Sequence, residues 1–441
     1  MNHLFGTDGI RGRALEPPLD EDTVRRLGAA LADILDGTET PHILLAGDTR
    51  ASTEVLATWL AGSFQASGGR VTWAGVLPTP AVSHLLRTGS YGAGVVISAS
   101  HNPAQDNGIK VLGPTGEKLA DDSEARLEAR VASTRPRSGG ELPNSDDTLA
   151  GRYVDLVAAT HEHPRPLEGL LLVGDAANGA ASGVAGDLLT RLGATATVIS
   201  ATPNGTNINR DCGATSTDRL ATTVVAENAD GGIALDGDAD RAILVDHAGH
   251  ILDGDDILLV WARHLATTDR LPGNWVVATV MSNYGLEQQL RSEGIEMIRC
   301  SVGDRWVWQT MQERGATLGG EQSGHIICSH HSVSGDGLIT GTHLFAIAAA
   351  MGTPIAKLSN LARLPQVLLN LPVSRKEPFE ELPTVRRQLT VTEKLLSERG
   401  RVLLRYSGTE PLARVMVEGE DEGEIESLAN QLVKAIRKDL G

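Results

Sequence analysis

The chain contains 441 residues, of which 41% are hydrophobic, and its formal net charge is −17. This length accommodates about three or four domains, and the negative charge argues against nucleic acid or an anionic membrane as a partner. The cysteines are far apart and form no CxxC pattern, which predicts a reducing, cytoplasmic location. No apolar run is long enough to span a bilayer, and the first residues lack the regions of a signal peptide.

A degenerate repeat organises the first three quarters of the chain. Apolar segments start at Ile43, Leu170 and Trp275. Each is followed by a helical stretch, a glycine and a second apolar segment, an order that predicts a β-α-β unit with parallel strands. A later strand in each repeat ends in an unusual polar loop, and ligands of open α/β sheets bind beyond such strand ends. The three loops are therefore expected to meet at one cleft.

The loop of the second repeat carries three carboxylates at alternate positions, Asp236, Asp238 and Asp240, directly after an apolar run. Clustered carboxylates are hard oxygen ligands that suit Mg²⁺, and Arg241 adds a cation for a phosphate oxygen. An isolated pattern of this kind also occurs in solvated acidic turns. An EF-hand is a poor match, because Arg241 occupies the sixth position, where glycine is needed, and His247 occupies the twelfth, where glutamate is needed.

The loop of the first repeat, Ser98–Pro103, combines hydroxyls, an imidazole and an amide. By itself such a loop is more typical of a turn, and the absence of a Gly-x-Ser-x-Gly segment leaves a hydrolase triad unsupported. A serine beside a metal site can instead carry a phosphoryl group. Ser100 is the candidate nucleophile, and Ser98 is expected to support the loop. Lys110 is expected to stabilise charge or to move the proton of an attacking hydroxyl.

The loop of the third repeat, Glu321–His325, offers hydrogen-bonding groups suited to sugar hydroxyls. Its His325 is also a candidate for proton transfer. As a lone motif the segment is weak, because glycine-rich polar turns are common.

The last part of the chain differs in pattern. Prolines between residues 365 and 383 indicate a linker and the start of a small α+β domain. Within it, a turn flanked by arginines combines backbone N–H groups, hydroxyls and guanidinium groups, which are what a phosphate dianion requires. The members of this candidate phosphate loop are Arg405, Ser407, Gly408, Thr409 and Arg414. It is not a Walker A loop, because Gly-Lys-Ser/Thr is absent from the chain.

Together with the opening segment Phe5–Gly12, these four loops resemble those of the α-D-phosphohexomutase superfamily in order and approximate spacing. Within the superfamily the chain most resembles the branch of bacterial phosphoglucosamine mutases. The pointers are Gly320–His325, Pro203–Asn209 and Val302–Arg305. Two places depart from that branch's usual pattern. Ser216–Arg219 replaces Thr-His-Pro-Glu, and a tryptophan follows Gly-Asp-Arg where tyrosine is usual.

The resemblance implies an α/β fold of three similar mixed α/β domains around a central cleft, plus a small C-terminal α+β domain. The implied domains are a phosphoserine-loop domain (1–155), a metal-binding domain (156–255), a sugar-binding domain (256–367) and a phosphate-binding domain (368–441). Each domain is expected to supply one loop to the cleft.

The resemblance also implies an isomerase that interconverts glucosamine 6-phosphate and glucosamine 1-phosphate. Glucosamine 1,6-bisphosphate would be the intermediate and activator, and the product would feed UDP-N-acetylglucosamine and peptidoglycan precursors. The implied catalytic residues are Ser100, carried as phosphoserine, with Lys110, Arg11, His101 and His325. The implied Mg²⁺ ligands are Ser100, Asp236, Asp238 and Asp240. The implied substrate-binding residues are Glu321, Ser323, Arg241, Arg305, Arg405, Ser407, Gly408, Thr409 and Arg414.

Three alternatives stay open at this point. One is a phosphoglucomutase or phosphomannomutase of the same superfamily. Another is a Mg²⁺-dependent sugar phosphatase with an aspartate nucleophile, which leaves the Ser100 loop unexplained. The third is a non-catalytic protein that binds sugar phosphates, although a catalytically dead relative would be expected to lack Ser100 or a metal ligand. The expected partners are small sugar phosphates, and the chain is expected to be a monomer or homodimer.

Overall fold

The computed structural model describes residues 4–6, 8–35, 40–407 and 411–441, and the chain divides into two compact units. The first unit contains the chain up to Thr279 together with Cys300–Asn360, and the second contains Val280–Arg299 and Leu361–Gly441. Within the described residues, no helix combines the length and apolar character needed to cross a membrane.

The first region of the chain forms a mixed sheet with helices packed against it. Its elements are β1 (Ile10–Arg13), α1 (Glu21–Leu35), β2 (His42–Gly47), α2 (Thr53–Ala66), β3 (Arg70–Val76), α3 (Thr79–Thr88), β4 (Ala93–Ile97), β5 (Asp106–Leu112), α4 (Asp121–Ser133) and α5 (Thr148–Ala158). The strand order is β1-β5-β4-β2-β3. β2 is parallel to β3 and β4, as the repeat predicts, whereas β5 is antiparallel to β4 and β1. β2 and β4 are almost wholly buried, which explains their continuous apolar sequence.

The second region repeats this plan. Its elements are β6 (Leu171–Asp175), α6 (Ala185–Arg191), β7 (Thr195–Ile199), α7 (Asp218–Glu227), β8 (Gly231–Leu235), β9 (Ala242–Asp246) and β10 (Ile251–Leu252). The strand order is β10-β9-β8-β6-β7, and β6 is parallel to both β7 and β8. The β-α-β prediction is confirmed for this repeat as well.

The third region begins with a helix whose start is fixed by a capping box between Asp253 and Asp256. Its elements are α8 (Gly254–Thr267), β11 (Trp275–Thr279), α9 (Tyr284–Ser292), β12 (Glu296–Cys300), α10 (Asp304–Arg314), β13 (Leu318–Gly320), β14 (Ile326–Cys328), α11 (Gly337–Ala350) and α12 (Ile355–Leu358). In the first unit, β11 is parallel to β13, and β13 is antiparallel to β14. α9 and most of β12 belong to the second unit.

The second unit also contains the C-terminal part of the chain. Its elements there are β15 (Gln366–Pro372), α13 (Pro383–Leu396), β16 (Gly400–Tyr406), β17 (Leu412–Gly419) and α14 (Glu422–Leu440). They form an antiparallel sheet of order β15-β17-β16. The segment between Pro365 and Pro372, expected to be a linker, is an edge strand paired with β17 along its length. Proline is tolerated there because it stands at the end of an edge strand. The apolar face of α14 is buried in the core of this unit.

Candidate active site

The serine loop leaves the carboxyl end of β4 in a tightly held conformation. Ser98 donates a hydrogen bond from its hydroxyl to Asp48 Oδ2 (2.6 Å) and accepts one from the Ser100 N–H (2.9 Å). Arg50, paired with Asp48 at 2.8 Å, donates to the Ser100 carbonyl (3.0 Å). Ser100 has φ +52°, a left-handed conformation that persists in a non-glycine residue only when its surroundings impose it. Ser98 is therefore a supporting residue, and the loop presents one hydroxyl at a fixed place.

That hydroxyl meets the aspartate loop, which leaves the carboxyl end of β8. Ser100 Oγ donates to Asp236 Oδ2 at 2.5 Å, and His101 Nδ1 lies 3.3 Å from the same Oγ. The two loops come from different repeats, so the convergence expected from the sequence is observed for them.

The three aspartates are arranged as a cation site requires. Asp236, Asp238 and Asp240 are at most 7% exposed, and each offers an oxygen within 4.8 Å of the others. Oδ1 of Asp238 and Oδ1 of Asp240 are buried without a hydrogen-bond partner. Burial and the neighbouring Asp240 and Asp238 carboxylates raise the pKa of Asp236 well above its usual value of 3.8. Buried, mutually repelling oxygens with unfilled acceptor positions fit a hard divalent cation such as Mg²⁺.

Two side chains from the first sheet region hold the aspartate loop. Thr79, at the start of α3, donates from its hydroxyl to Asp238 Oδ2 (2.6 Å) and from its N–H to the Asp238 carbonyl (3.0 Å). Lys110, on β5, places Nζ 2.8 Å from Asp238 Oδ2 and 3.5 Å from Asp240 Oδ2. Burial opposes its charge, but Asp238 and Asp8 raise the pKa of Lys110 well above 10.5. Of the two roles predicted for Lys110, this supports a fixed cation.

The sugar loop is a tight turn between β13 and β14 that is bonded to the aspartate loop. Gly324 has φ +90°, and a Cβ there would lie 2.2 Å from the Ala242 carbonyl oxygen, so the turn requires glycine. The Ala242 N–H donates to the Gly324 carbonyl (3.0 Å). Glu321 accepts a hydrogen bond from the Gly303 N–H at Oε1 (3.0 Å), which fixes its carboxylate.

His325 is buried between two carboxylates. Its Nδ1 is 3.7 Å from Asp240 Oδ2 and its Nε2 is 3.8 Å from Asp304 Oδ2. Nε2 also accepts a hydrogen bond from the Gly335 N–H (3.1 Å), so the neutral ring carries its proton on Nδ1. Burial favours the neutral ring, but the contact with Asp240 raises the pKa of His325 above 6.5.

These loops surround a cavity of about 650 Å³, which we call the site cavity. Six of the residues predicted for catalysis or substrate binding line it, and they are Arg11, His101, Arg241, Glu321, Ser323 and His325. A cavity of this size is within the usual range for small-molecule sites. Its lining includes charged side chains of both signs, as a sugar phosphate and a cation would require.

The sequence prediction missed three ionisable residues that also belong here, Asp8, Lys118 and Asp304. Asp8 lies 3.4 Å from Lys110 Nζ and 2.5 Å from Lys118 Nζ, and Lys118 Nζ lies 2.6 Å from Asp304 Oδ2. With Asp240 and His325 these residues form a closed chain of ionisable groups, which we call the charge ring. Its carboxylates and ammonium groups alternate in sign, and His325 closes it between Asp240 and Asp304. Its members are Asp240, Lys110, Asp8, Lys118, Asp304 and His325. Asp8 belongs to the opening segment Phe5–Gly12 and Asp304 to the segment Val302–Arg305, whereas no pattern in the sequence indicated Lys118.

Other predicted residues lie elsewhere. The Arg305 guanidinium donates to Glu124 Oε2 (3.0 Å) and to the Leu119 carbonyl (3.2 Å), and it pairs with Asp121. These partners belong to α4 and the segment before it, and the substrate role of Arg305 stays a prediction.

The predicted phosphate loop lies in the second unit. Arg405 on β16 faces Arg414 on β17 in the strand register, and burial together with Arg414 lowers the pKa of Arg405 below its usual value. The Ser407 N–H donates to the Leu412 carbonyl (2.8 Å). Gly408 and Thr409 lie outside the described residues. Two facing guanidinium groups repel one another, and an anion between them would relieve that repulsion.

Comparison with known families decides the membership of the chain. Four models of one family match it: Phosphoglucomutase/phosphomannomutase alpha/beta/alpha domain I over residues 2–138, domain II over 151–249, domain III over 253–365 and the C-terminal domain over 368–435. The chain belongs to the phosphoglucomutase/phosphomannomutase family. This confirms the predicted superfamily, the predicted fold class and the prediction of an isomerase. The predicted domain bounds stay a proposal.

Similar proteins extend over the whole length of this family member. The phosphoglucosamine mutase of Solibacter usitatus is 44% identical over 443 residues, which cover 99% of both chains. That of Sorangium cellulosum is 42% identical over 451 residues, covering 99% of this chain and 93% of the relative. Among solved structures, a phosphoglucomutase/phosphomannomutase family protein from Burkholderia thailandensis superposes with a TM-score of 0.83 at 25% identity, covering 100% and 98% of the chains. Aspergillus fumigatus N-acetylphosphoglucosamine mutase, solved with GlcNAc-6P and magnesium, has a TM-score of 0.63 at 18% identity, covering 99% and 96%.

Proposed function

We propose that the chain interconverts glucosamine 6-phosphate and glucosamine 1-phosphate through a phosphoserine at Ser100. The observation that carries the proposal is the 2.5 Å hydrogen bond between Ser100 and Asp236. It joins a conformationally fixed serine to three aspartates whose oxygens are close enough together to bind one cation. The full-length similarity to curated phosphoglucosamine mutases supports the choice of an amino sugar.

The residues that would hold Mg²⁺ are Asp236, Asp238 and Asp240, together with the phosphorylated Ser100. When bound, the ion supplies positive charge to the phosphoryl oxygens, and phosphoryl transfer depends mainly on such charge and on positioning. The other side chains add to this field from the cavity wall. Arg11 and Arg241 line the cavity, and Lys110 is a fixed cation beside the aspartates.

The chemistry consists of two transfers in opposite directions. In the first, the free sugar hydroxyl attacks phosphorus, the bond from phosphorus to Ser100 Oγ breaks, and a sugar bisphosphate forms. The hydroxyl proton passes to a base, for which the cavity offers the imidazole of His101, and Ser100 Oγ takes up a proton as it leaves. The proton-transfer role of His325 stays a prediction, because Nε2 of its neutral ring already accepts a hydrogen bond from the Gly335 N–H. After the bisphosphate turns around, its other phosphate returns to Ser100, and the isomeric monophosphate leaves. Glucosamine 1,6-bisphosphate is therefore both intermediate and activator in this proposal.

Two orientations of one sugar require contacts that tolerate both. Glu321 and Ser323 line the cavity and are proposed to bind groups that occupy similar places in each orientation. The fixed Glu321 carboxylate is also suited to an ammonium group at C2, since a charge-assisted hydrogen bond is stronger than one to a neutral hydroxyl. Such a contact discriminates by about 1–3 kcal/mol, so weaker activity on glucose phosphates is expected.

The second unit is proposed to hold the phosphate that does not react. Arg405, Ser407 and Arg414 supply guanidinium and hydroxyl groups for it, and Gly408 and Thr409 complete the predicted loop. The domain division at residues 155, 255 and 367, the supply of product to UDP-N-acetylglucosamine and peptidoglycan precursors, and a cytoplasmic location belong to the same proposal. The chain is proposed to act as a monomer or homodimer.

The decisive experiment compares kcat/KM for the 1-phosphates of glucosamine, glucose and mannose, each with a catalytic amount of its own 1,6-bisphosphate. The expected result is a clear preference for glucosamine 1-phosphate. A preference for the glucose or mannose phosphate would contradict the proposed substrate but leave the mutase mechanism intact. The second candidate function, a phosphoglucomutase or phosphomannomutase, would then apply. Intact-mass analysis separates either mutase from a phosphatase, because it distinguishes a stable phosphate on Ser100 from a labile acyl phosphate on Asp236.

A further inference from the structure

Outside the site cavity, two hydrogen-bonded threonine–histidine pairs link the residues that follow α5 to α11. His343 Nε2 lies 2.9 Å from Thr160 Oγ1, and His161 Nε2 lies 3.2 Å from Thr342 Oγ1. The two imidazole rings stack with centroids 4.0 Å apart and planes 13° from parallel. We call these four residues the histidine clasp. It joins the end of the first region to a helix of the third.

The hydroxyls decide where the protons lie. Thr160 donates from its hydroxyl to the Val157 carbonyl (2.7 Å), and Thr342 donates to the Leu338 carbonyl (2.6 Å). A hydroxyl has a single hydrogen, so each threonine must accept a hydrogen bond from the imidazole. Both rings therefore carry hydrogen on Nε2 and a lone pair on Nδ1. The clasp is built from two neutral histidines in fixed tautomers.

The surroundings disfavour an added proton. The His331 ring lies against His343 with centroids 4.1 Å apart and planes tilted by 31°, and the buried Trp261 ring stacks on His343 with centroids 5.6 Å apart. The other titratable or charged groups that face the cluster are His84 on α3, Glu162 and His163 after α5, His264 on α8, Arg270 after α8 and His330 before His331. Glu162, the carboxylate among them, already pairs with Arg270 at 3.2 Å.

The pKa values agree with this geometry. Burial lowers the pKa of His161 from 6.5 to about 4. Burial, with Arg270 and the other rings adding to it, lowers the pKa of His331 to about 4. For His343, burial and the neighbouring His161 and His331 rings hold the pKa well below 6.5.

We propose that the histidine clasp is a proton-operated joint, closed while its rings are neutral and released by acid. A proton can enter either ring only at Nδ1. The resulting imidazolium lies about 4 Å from the face of the other histidine ring. Because acid favours protonation of that ring as well, the two positive charges would repel one another. The unfolded chain takes up these protons below pH 6.5, whereas in the closed clasp the pKa of His161 is lowered to about 4 and that of His343 is held well below 6.5. Stability from the clasp is therefore full above pH 6.5 and is lost as pH falls from 6.5 to 4.

The clasp is connected to the site cavity through α11, because Thr342 and His343 lie near the middle of this helix and its start is hydrogen-bonded to residues of the site. The Gly337 N–H at the start of α11 donates to the Ala239 carbonyl in the aspartate loop (3.0 Å), and the preceding Gly335 N–H donates to His325. Asp336, which caps α11, accepts a hydrogen bond from Tyr153 on α5 (2.9 Å). Because α11 is also buried against β8, β9 and α8, release of the clasp is expected to loosen the helix without detaching it, and the first turn of α11 links that change to the aspartate loop.

The test uses the double variant H161Q/H343Q in the full chain. A glutamine amide can still donate to each threonine hydroxyl but cannot take up a proton. The melting temperature of the wild type is expected to fall from pH 7.5 to pH 5.5 by about 3–5 °C more than that of the double variant. H247Q, which removes an exposed histidine after β9, is the matched control and is expected to behave as the wild type. An equal fall in the double variant and the wild type would overturn the proposal.

A second measurement decides the matter even if the double variant fails to fold. NMR of ¹³C-histidine-labelled wild type follows each ring through pH 7.5 to 5, with assignments from the single variants H161Q, H331Q and H343Q. The three rings are expected to stay neutral at pH 5.5. Titration of His161 or His343 near pH 6.5 in the folded protein would rule out a proton-operated joint.

Discussion

The site cavity and the histidine clasp both bury ionisable side chains in the first unit, but they meet the cost of burial in different ways. In the charge ring, each carboxylate or ammonium lies beside a group of opposite sign, so the charges are kept. In the clasp, no such partner approaches the rings among the described residues, so the rings are kept neutral. A buried charge needs a partner or must be neutralised. The cavity is therefore suited to holding ions, and the clasp to sensing protons.

This comparison predicts that variants in the cavity change activity and variants in the clasp change acid stability. The largest effect is expected for Ser100→Ala. We expect mutase activity to fall by about 10⁴-fold or more, because the phosphoryl group loses its carrier, while the acid sensitivity of folding stays that of the wild type. The measurement is isomerisation at saturating glucosamine 1,6-bisphosphate, with melting curves at two pH values. Ser133→Ala, on the exposed face of α4, is the control, and wild-type turnover by the Ser100 variant would contradict the assignment.

The second largest effect concerns the cation. Asp238→Asn keeps the shape of the side chain but removes a ligand charge, and we expect kcat to fall by about 100-fold or more. The apparent affinity for Mg²⁺, measured by calorimetry, is expected to weaken in the same variant. Chelator treatment of the wild type is expected to abolish activity until Mg²⁺ is restored. Asp269→Asn, at an exposed turn, controls for a lost surface charge, and full activity in excess chelator would count against a metal-assisted mechanism.

A smaller effect is expected when the charge ring is opened at Lys118. Lys118→Met leaves Asp8 and Asp304 without their shared cation, so we expect kcat to fall by about 10-fold with less change in KM, because positioning is lost more than binding. Lys118→Arg is expected to restore part of the rate. The exposed Lys357→Met is the control.

A double-mutant cycle shows whether the ring is energetically coupled. Asp304→Asn with Lys118→Met is expected to be less destabilising than the sum of the single changes by about 1–3 kcal/mol, because each single change leaves the other charge partly buried and unpaired. If the changes in the free energy of unfolding, measured by denaturant titration, were additive, Lys118 and Asp304 would not be energetically coupled despite their contact.

The smallest effect separates the two regions by pH. Although burial opposes its charge, Lys118 holds the pKa of Asp304 below 3.8, so Asp304 stabilises the fold above pH 3.8 and this contribution disappears as pH falls further. The clasp loses its contribution earlier, between pH 6.5 and 4. We expect H161Q/H343Q to flatten the pH dependence of stability in the first window alone and Asp304→Asn to flatten it in the second alone. If both variants changed the pH dependence of stability in the same pH window, the proposed difference between the charge ring and the clasp would be contradicted.

The sequence alone determined what depends on near neighbours in the chain. Apolar runs beginning near Ile43 and Leu170 predicted parallel β-α-β units, and the alternating aspartates after β8 predicted the cation site. These features are local because strand and helix periodicity repeat every few residues. The resemblance that carried Ser100, Arg11 and the sugar loop also rests on short motifs in a fixed order.

Only the tertiary structure decided which distant side chains meet. Lys118 contacts Asp304, and His161 stacks on His343, although well over a hundred residues separate the members of each pair. Arg305 belongs to a motif that suggests substrate binding, yet its guanidinium group contacts acidic side chains of α4. A lone lysine or histidine in a sequence looks like any solvated side chain, and its charge state depends on burial and on neighbours that packing supplies. The chemistry of a loop can therefore be read locally, whereas the pairing or neutrality of a buried ionisable group is settled when the elements pack together.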